Sequence, residues 1–235
     1  MKRNRLSRLM ALLLAMGAMG VIEAARAQVY DPLEPLNRAM FSFNDTLDRF
    51  VVRPVAQGYV NVVPRLVRTG VSNVFGNLSD AFSAINNLLQ GKKEQLGSDL
   101  GRVLVNSTFG LGGIFDIMSE ANVEKYNEDF GQTLGWWGMG PGPYLVLPLL
   151  GPSSLRDATG LAATWLIDPI NQVTPVANQW ELVGMRALDT RAGLLGTEDL
   201  LQGAALDNYT FIRSAYTQRR RSLVYDGKPP KDEDD

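Results

Sequence analysis

The sequence predicts an all-α protein assembled from amphipathic helices. Apolar residues recur at alternating steps of three and four in several segments, the period of one helix face. Strand-like alternation is absent outside one Gly/Pro-rich stretch, Gly135–Pro152. Beyond residue 27 no run of 18 apolar residues remains, so no spanning helix is expected.

The N-terminus reads as a cleaved export signal. Lys2, Arg3, Arg5 and Arg8 form a basic region, Leu9–Ile22 an apolar one, and Ala25-Arg26-Ala27 a small-x-small cleavage site. Residues 1–27 are therefore expected to be removed. Residues 28–225 then form a single helical domain, and 226–235 a disordered, charged tail.

The first helix is expected in "EPLNRAMFSFNDTLDRF", where Leu36, Met40, Phe43, Leu47 and Phe50 share a face and Pro54 limits the run. "GVSNVFGNLSDAFSAINNLLQG" is more regular. Val71, Phe75, Leu78, Phe82, Ile85 and Leu89 make its apolar stripe, and the opposite face carries only one charge, Asp80. Soluble surface helices usually show more Lys and Glu. A nearly neutral polar face beside a Phe-rich stripe suits a helix lying between lipid and a hydrated space. Phe75, Leu78, Phe82 and Ile85 are thus candidates for facing membrane, and Asn73, Asn77, Asp80 and Asn87 for facing water. A core helix with an Asn-rich solvent face stays open at this point.

A third helix is expected in "KEQLGSDLGRVLVNSTFG", with Leu96, Leu100 and Val103 aligned and Gly97 and Gly101 as a small-residue pair. The acidic stretch Met118–Phe130 reads as a solvated loop and short helix. Ser154 and Asp157 suggest a capping box for the next helix, which Pro169 ends. Trp180–Tyr225 is helical by pattern, with breaks expected at Gly193, Gly196 and Gly203. Leu201, Ala205, Tyr209, Ile212 and Tyr216 align on its last part, and Arg219–Arg221 suit a helix C-terminus.

Composition narrows the chemistry. The 235 residues include no Cys and no His, which removes thiol chemistry, the commonest general base and the commonest metal ligands. The chain has 23 basic and 25 acidic residues. The leader takes five basic and one acidic, so the mature chain carries about −6, a poor balance for nucleic acid. No phosphate-binding loop or nucleophile elbow occurs, and "GMGPG" lacks the spacing and amide donors of a nucleotide site. Carboxylate pairs such as Asp116/Glu120 and Glu124/Glu128 read as solvated faces. No enzyme activity, cofactor or metal is expected. The amphipathic faces remain; they meet each other, a partner or lipid, and periodicity does not choose.

"YDPLEPLNRAMFSFNDTLDRFVVRPVAQGY", "GVSNVFGNLSDAFSAINNLLQGK", "RVLVNSTFGLGGIFDI", "EDFGQTLGWWGMGPGPYLVLPLLGPSSLRDATG" and "ALDNYTFIRSAYTQRRR" resemble, in this order, the motifs of the VacJ/MlaA family. The resemblance implies a ring of amphipathic helices lying in the inner leaflet of the outer membrane, around a central hydrated channel. It implies intermembrane phospholipid transport: mislocalised phospholipid leaves the outer leaflet and passes to a periplasmic lipid carrier. It also implies association with porin trimers at the periplasmic face of the outer membrane. The alternative is a periplasmic, porin-associated scaffold that conducts no lipid. Typical members carry a lipid-modified cysteine after the signal. This sequence has none, so attachment is expected from the helical apolar faces, a porin, or both. The region matching Phe130–Gly151 is implied to form a hairpin-like loop near the channel. In it, Trp136, Trp137 and Tyr144 are expected at the headgroup boundary. Gly138, Gly140 and Gly142 are expected to act as a hinge, the alternative being a rigid turn packed on the core.

Overall fold

The computed structural model describes residues 31–201 and 207–230. The expected leader, Ala205, the expected break at Gly203, and the tail's last residues, 231–235, lie outside the described residues. The chain enters α1 (Glu34–Leu47), widens into one π-helical turn (Asp48–Val52) and continues as α2 (Arg53–Val62). Pro54 therefore does not end the first helix. Its ring would collide with the carbonyl four residues back in a regular α-helix, and the wider π-turn directly before it absorbs that conflict.

Helix α3 (Arg65–Gln90) stops at Gly91, whose φ of 74° is the left-handed C-terminal geometry that glycine supplies without strain. Helix α4 (Lys93–Thr108) packs back along α3 as a helical hairpin. The single turn α5 (Ile117–Glu120) and α6 (Phe130–Trp136) follow. Strands β1 (Tyr144–Leu147) and β2 (Gly151–Ser154) then pair antiparallel, Tyr144 opposite Ser154. Helix α7 (Leu155–Ile167) begins where Ser154 Oγ accepts from the Asp157 amide, the expected cap. A 3-10 turn (Pro169–Gln172), α8 (Val176–Leu201) and α9 (Asn208–Val224) complete the order. Gly193 and Gly196 lie inside α8 without breaking it. Residues 226–230 extend beyond α9 and are tied to the body: Lys92 Nζ donates to Asp226 at 2.5 Å and Arg221 to the Pro230 carbonyl at 2.7 Å.

Successive contacts close these elements into a ring. Helix α1 meets β1, β1 meets β2, and β2 meets α7. Helix α7 packs on α6, α6 on α3, α3 on α8, and α8 on α2, which is continuous with α1. The small apolar core sits at one point of the ring, where Tyr144, Val146 and Tyr209 pack with Met40, Phe41 and Tyr216. The tyrosine and phenylalanine rings meet edge to face, with centroids 5.7–6.2 Å apart.

Two asparagines of α1 attach the hairpin. Strand β1 bonds β2 on one edge only, which leaves the other edge with unpaired backbone groups. Asn37, fully buried, donates to the Tyr144 carbonyl and accepts from the Val146 amide, both at 2.9 Å. Two turns along, Asn44 donates to the Leu147 carbonyl (2.9 Å) and accepts from the Leu149 amide (2.8 Å). Each side-chain amide thus takes the place of a third strand.

Replacing Asn37 by Ala leaves a buried donor and a buried acceptor unsatisfied, a cost of about 1–3 kcal/mol for each group. A clear fall in melting temperature in detergent is expected for Asn37→Ala. An unchanged melt would contradict this attachment.

Candidate functional site

The ring is polar inside and apolar outside. The largest fully buried side chains are Arg102, Gln132, Asn37, Asn86, Asn87 and Thr133, whereas Phe50, Val62, Leu66, Phe109, Leu149 and Leu166 are each more than two-thirds exposed. Such a distribution is the reverse of a water-soluble core.

The interior is built from polar stripes at helical spacing. Asp80, Ser83 and Asn87 on α3 face Asp99 and Arg102 on α4. Arg102, with no exposed surface, donates through Nε to Asp80 (3.0 Å) and through Nη2 to both oxygens of Asp116 (2.8 and 3.0 Å). Lys125 Nζ lies 2.8 Å from the second Asp80 oxygen. Asp99 accepts from Ser83 Oγ at 2.6 Å and from Asn87 at 2.8 Å. Burial pushes its carboxyl above the ordinary carboxylate range, against those hydrogen bonds, which favour the charged form.

A second cluster joins α6, α7 and α9. Arg220 donates to Asp129 (2.5 and 2.9 Å) and to Asp157 (both 2.9 Å), and the Tyr216 hydroxyl donates to Asp157 at 2.6 Å. Burial raises the Asp157 carboxyl, but the Arg220 guanidinium outweighs it and holds the group below its usual range. The acidic segment expected as a solvated loop is thus partly internal. Glu128 binds Gln90 and Lys92, and Asp129 caps α6.

Three neighbouring cavities that share wall residues lie along the middle of the ring. The largest of these three, about 390 Å³, lies among α3, α7, α8 and the segment before α6. Phe75, Leu78 and Phe82 supply one wall, and Asn86, Arg186 and Asp189 supply polar groups. Ser72 and Asp189 also line a cavity of about 240 Å³ by Tyr59, Arg65 and Arg68. Asp129 and Thr164 also line one of about 260 Å³ beneath the hairpin, at Leu147, Leu150 and Asp157. Most charges beside this path are already paired: Arg186 with Asp168 (2.6 Å), and Asp189 with the Ser72 hydroxyl (2.8 and 2.9 Å). The path offers aromatic and aliphatic surface beside matched polar groups, which suits an amphiphile. No group of metal-ligating side chains is found among the described residues.

Several residues singled out in the sequence are placed differently from expectation. Phe75, Leu78 and Phe82 are half-buried on the cavity wall, because the helix turns that stripe toward α8; Ile85 is exposed. None of the four residues expected along the channel is on its wall. Asp80 and Asn87 are buried in the α3–α4 interface, where Arg102, Lys125 and Asp99 hold them. Asn73 donates to the Ile114 carbonyl and Asn77 to Ser107, which fastens the following loop. Tyr144 lies in the apolar core rather than at a boundary, since β1 points it between Tyr209 and Tyr216, and burial pushes its phenol up to about 12. Trp136 and Trp137 are exposed, and Trp137 Nε1 donates to the Leu89 carbonyl at 3.2 Å. Gly138 and Gly142 adopt φ of 93° and 68°; Gly140 has no positive φ. A side chain at Gly138 or Gly140 would meet nothing within 4 Å, whereas one at Gly142 would come within 3.1 Å of Leu155 Cβ, so the turn is open at its tip and packed at its base. The buried charges Arg102, Arg156, Asp157 and Arg220 were missed in the sequence. A signal existed for one of them: Asp99, Arg102 and Asn106 recur at steps of three and four, a polar stripe with the period of a helix face.

Fold and site together define a class, a helical ring with an apolar exterior, a polar interior and a passage through its centre. The family model for the MlaA lipoprotein matches residues 29–223, and the chain belongs to that family. It is 37% identical over 209 residues to the intermembrane phospholipid transport system lipoprotein MlaA of Escherichia coli strain K12, covering 84% of this chain and 80% of that protein. The protein of the same name in Haemophilus influenzae is 36% identical over 205 residues, with the same coverage. A solved structure from work on the structural basis for maintenance of bacterial outer membrane lipid asymmetry superposes with a TM-score of 0.71 at 36% identity, covering 83% of this chain and 98% of that one.

Asp99 holds a proton more tightly in the folded chain than in the unfolded one. Stability from that proton is present at low pH and is lost as pH rises from the ordinary carboxylate range through the raised value. Asp99→Asn removes this window. Its melting temperature relative to wild type should climb as pH rises toward neutrality; an offset independent of pH would count against a charge buried without a cation.

Proposed function

We propose that the protein conducts glycerophospholipid along the central path, as the outer-membrane component of an intermembrane phospholipid transport system. Lipid misplaced in the outer leaflet enters the ring and leaves at the periplasmic face for a soluble lipid carrier. The apolar exterior lies in the inner leaflet beside a porin trimer and attaches the ring whether or not a lipid anchor is present. No helix among the described residues is long and apolar enough to cross a membrane, which agrees with helices lying in one leaflet.

The observation that carries this reading is the composition of the path. A phospholipid has a polar head and apolar tails, and both need a wall. Phe75, Leu78, Phe82, Leu147 and Leu150 offer surface to acyl chains, while Ser72, Asn86, Arg186 and Asp189 offer hydrogen bonds to a headgroup. The Escherichia coli and Haemophilus influenzae relatives are named as components of a phospholipid transport system, and the reading includes no catalytic step.

Thr164 lines both the main cavity and the one beneath the hairpin. Filling it with Thr164→Trp should reduce removal of outer-leaflet phospholipid to the level of cells lacking the protein, while the variant stays folded and membrane-bound. Ser79→Trp reads the same cavity from α3. The measurement is lipid composition of the outer leaflet. Full activity in both folded variants would favour a porin-associated scaffold that conducts no lipid.

A further inference from the structure

Beside the Gly138–Gly142 turn lies a further cavity of about 380 Å³, outside the central path. Tyr216 and Arg220 line both this cavity and the one beneath the hairpin. Arg156, Arg220 and Arg221 line it, and no carboxylate among the described residues does; Arg221 is engaged elsewhere, with the Pro230 carbonyl among its partners. Arg220 is committed to Asp129 and Asp157. Arg156 is not fully committed. It is 94% buried, being only 6% exposed. Its Nε donates to Asp157 at 2.9 Å, but its two terminal amino groups have no protein acceptor among the described residues. Asp157 cannot satisfy them as well, because Arg220 and Tyr216 already occupy its oxygens.

These two amino groups are not sealed off; they open onto the cavity, where an anionic ligand can take the place of water on them. The Tyr144 hydroxyl, on the same wall, also has no partner among the described residues. The rest of the wall is largely apolar, with Met139, Pro141 and Val224. A planar fork of donors beside apolar surface matches a phosphate joined to an apolar body. The volume suits a small ligand or one end of a larger one.

We propose that this cavity is a phosphate-binding site that receives the headgroup end of a glycerophospholipid, with Arg156 as the partner of the phosphate oxygens. Acyl chains stay outside, toward the exposed Met139 and Trp136. The choice of lipid over free phosphate rests on the transport reading above; the phosphate chemistry rests on the cavity alone.

The test is calorimetric titration of the full chain in nonionic detergent with dihexanoyl phosphatidylglycerol, dihexanoylglycerol and inorganic phosphate. Wild type should bind the phospholipid, and dihexanoylglycerol, which lacks the phosphate, should bind far more weakly. Arg156→Gln should weaken binding at least about tenfold, as loss of a buried charge-assisted pair does. Arg156→Lys should fall between, and Lys93→Gln on the exposed surface should match wild type. A methyl at Gly135 would come within 2.8 Å of Arg156 Nη1. Gly135→Ala therefore disturbs the same fork from the opposite wall and serves if Arg156→Gln does not fold. Wild-type affinity in both folded variants would overturn the site. Equal affinity for inorganic phosphate would overturn its lipid source and assign it to the free ion. Long-chain phospholipid retained through purification reports on the central path separately. Its retention by Arg156→Gln together with lost short-chain binding supports a distinct site. Its absence from wild type counts against the transport reading, while titration still decides the phosphate site.

Discussion

The pairing of Arg102 with Asp80 and Asp116, without any exposed surface on the guanidinium, holds α4 and the segment after it against α3, and α3 in turn is the helix on which α6 and α8 close the ring. In water, a chain with this many exposed apolar side chains would turn them inward. Against lipid the preference disappears, because acyl chains solvate Leu and Phe as well as a protein core does. Polar groups have no such alternative solvent and must satisfy one another. Separating two partners of a buried pair costs several kcal/mol, so the matched charges of α3, α4 and the Asp116–Lys125 segment determine how these elements assemble. The apolar core of Tyr144, Val146 and Tyr209 is correspondingly small.

The same logic closes the ring and shapes the passage. Asn37 and Asn44 complete the backbone of β1, and Arg213 joins α9 to Asp31 and Glu34 near the start of the described chain. The passage inherits walls whose charges are largely matched. Matched charges offer a headgroup local dipoles without a lone ion to trap it, which favours movement over retention. The Arg156 cavity differs in this respect: its unmatched donors favour holding. The path proposed to conduct lipid and the site proposed to retain it thus share Tyr216 and Arg220 in their walls.

Much of the helical framework was legible in the sequence. The stripes of α1 and α3, the Ser154–Asp157 cap and the stop at Pro169 are local features, and local chemistry decides them. Which face turns inward was not legible. Periodicity locates the Phe75–Phe82 stripe and the Asp80–Asn87 stripe equally well, but their direction depends on the solvent and on how the next helix, α4, folds back on α3. Expecting Asp80 and Asn87 beside water therefore failed where Arg102 and Asp99 claimed them. Glu128 and Asp129 look like a solvated run until Lys92 and Arg220 arrive from distant segments. The continuation through Pro54 was hidden because a π-turn leaves no distinct signature in residue type, and Gly193 and Gly196 are tolerated in α8 at a modest cost in propensity.

The most direct test is quenching of the four native tryptophans, Trp136, Trp137, Trp165 and Trp180, all of which are exposed. In vesicles of brominated phosphatidylcholine, an apolar exterior lying in one leaflet predicts strong quenching by bromines near the headgroup end of the chain, with little quenching by aqueous iodide. Strong quenching by iodide and none by brominated lipid would contradict it, since the exposed face would then be meeting water.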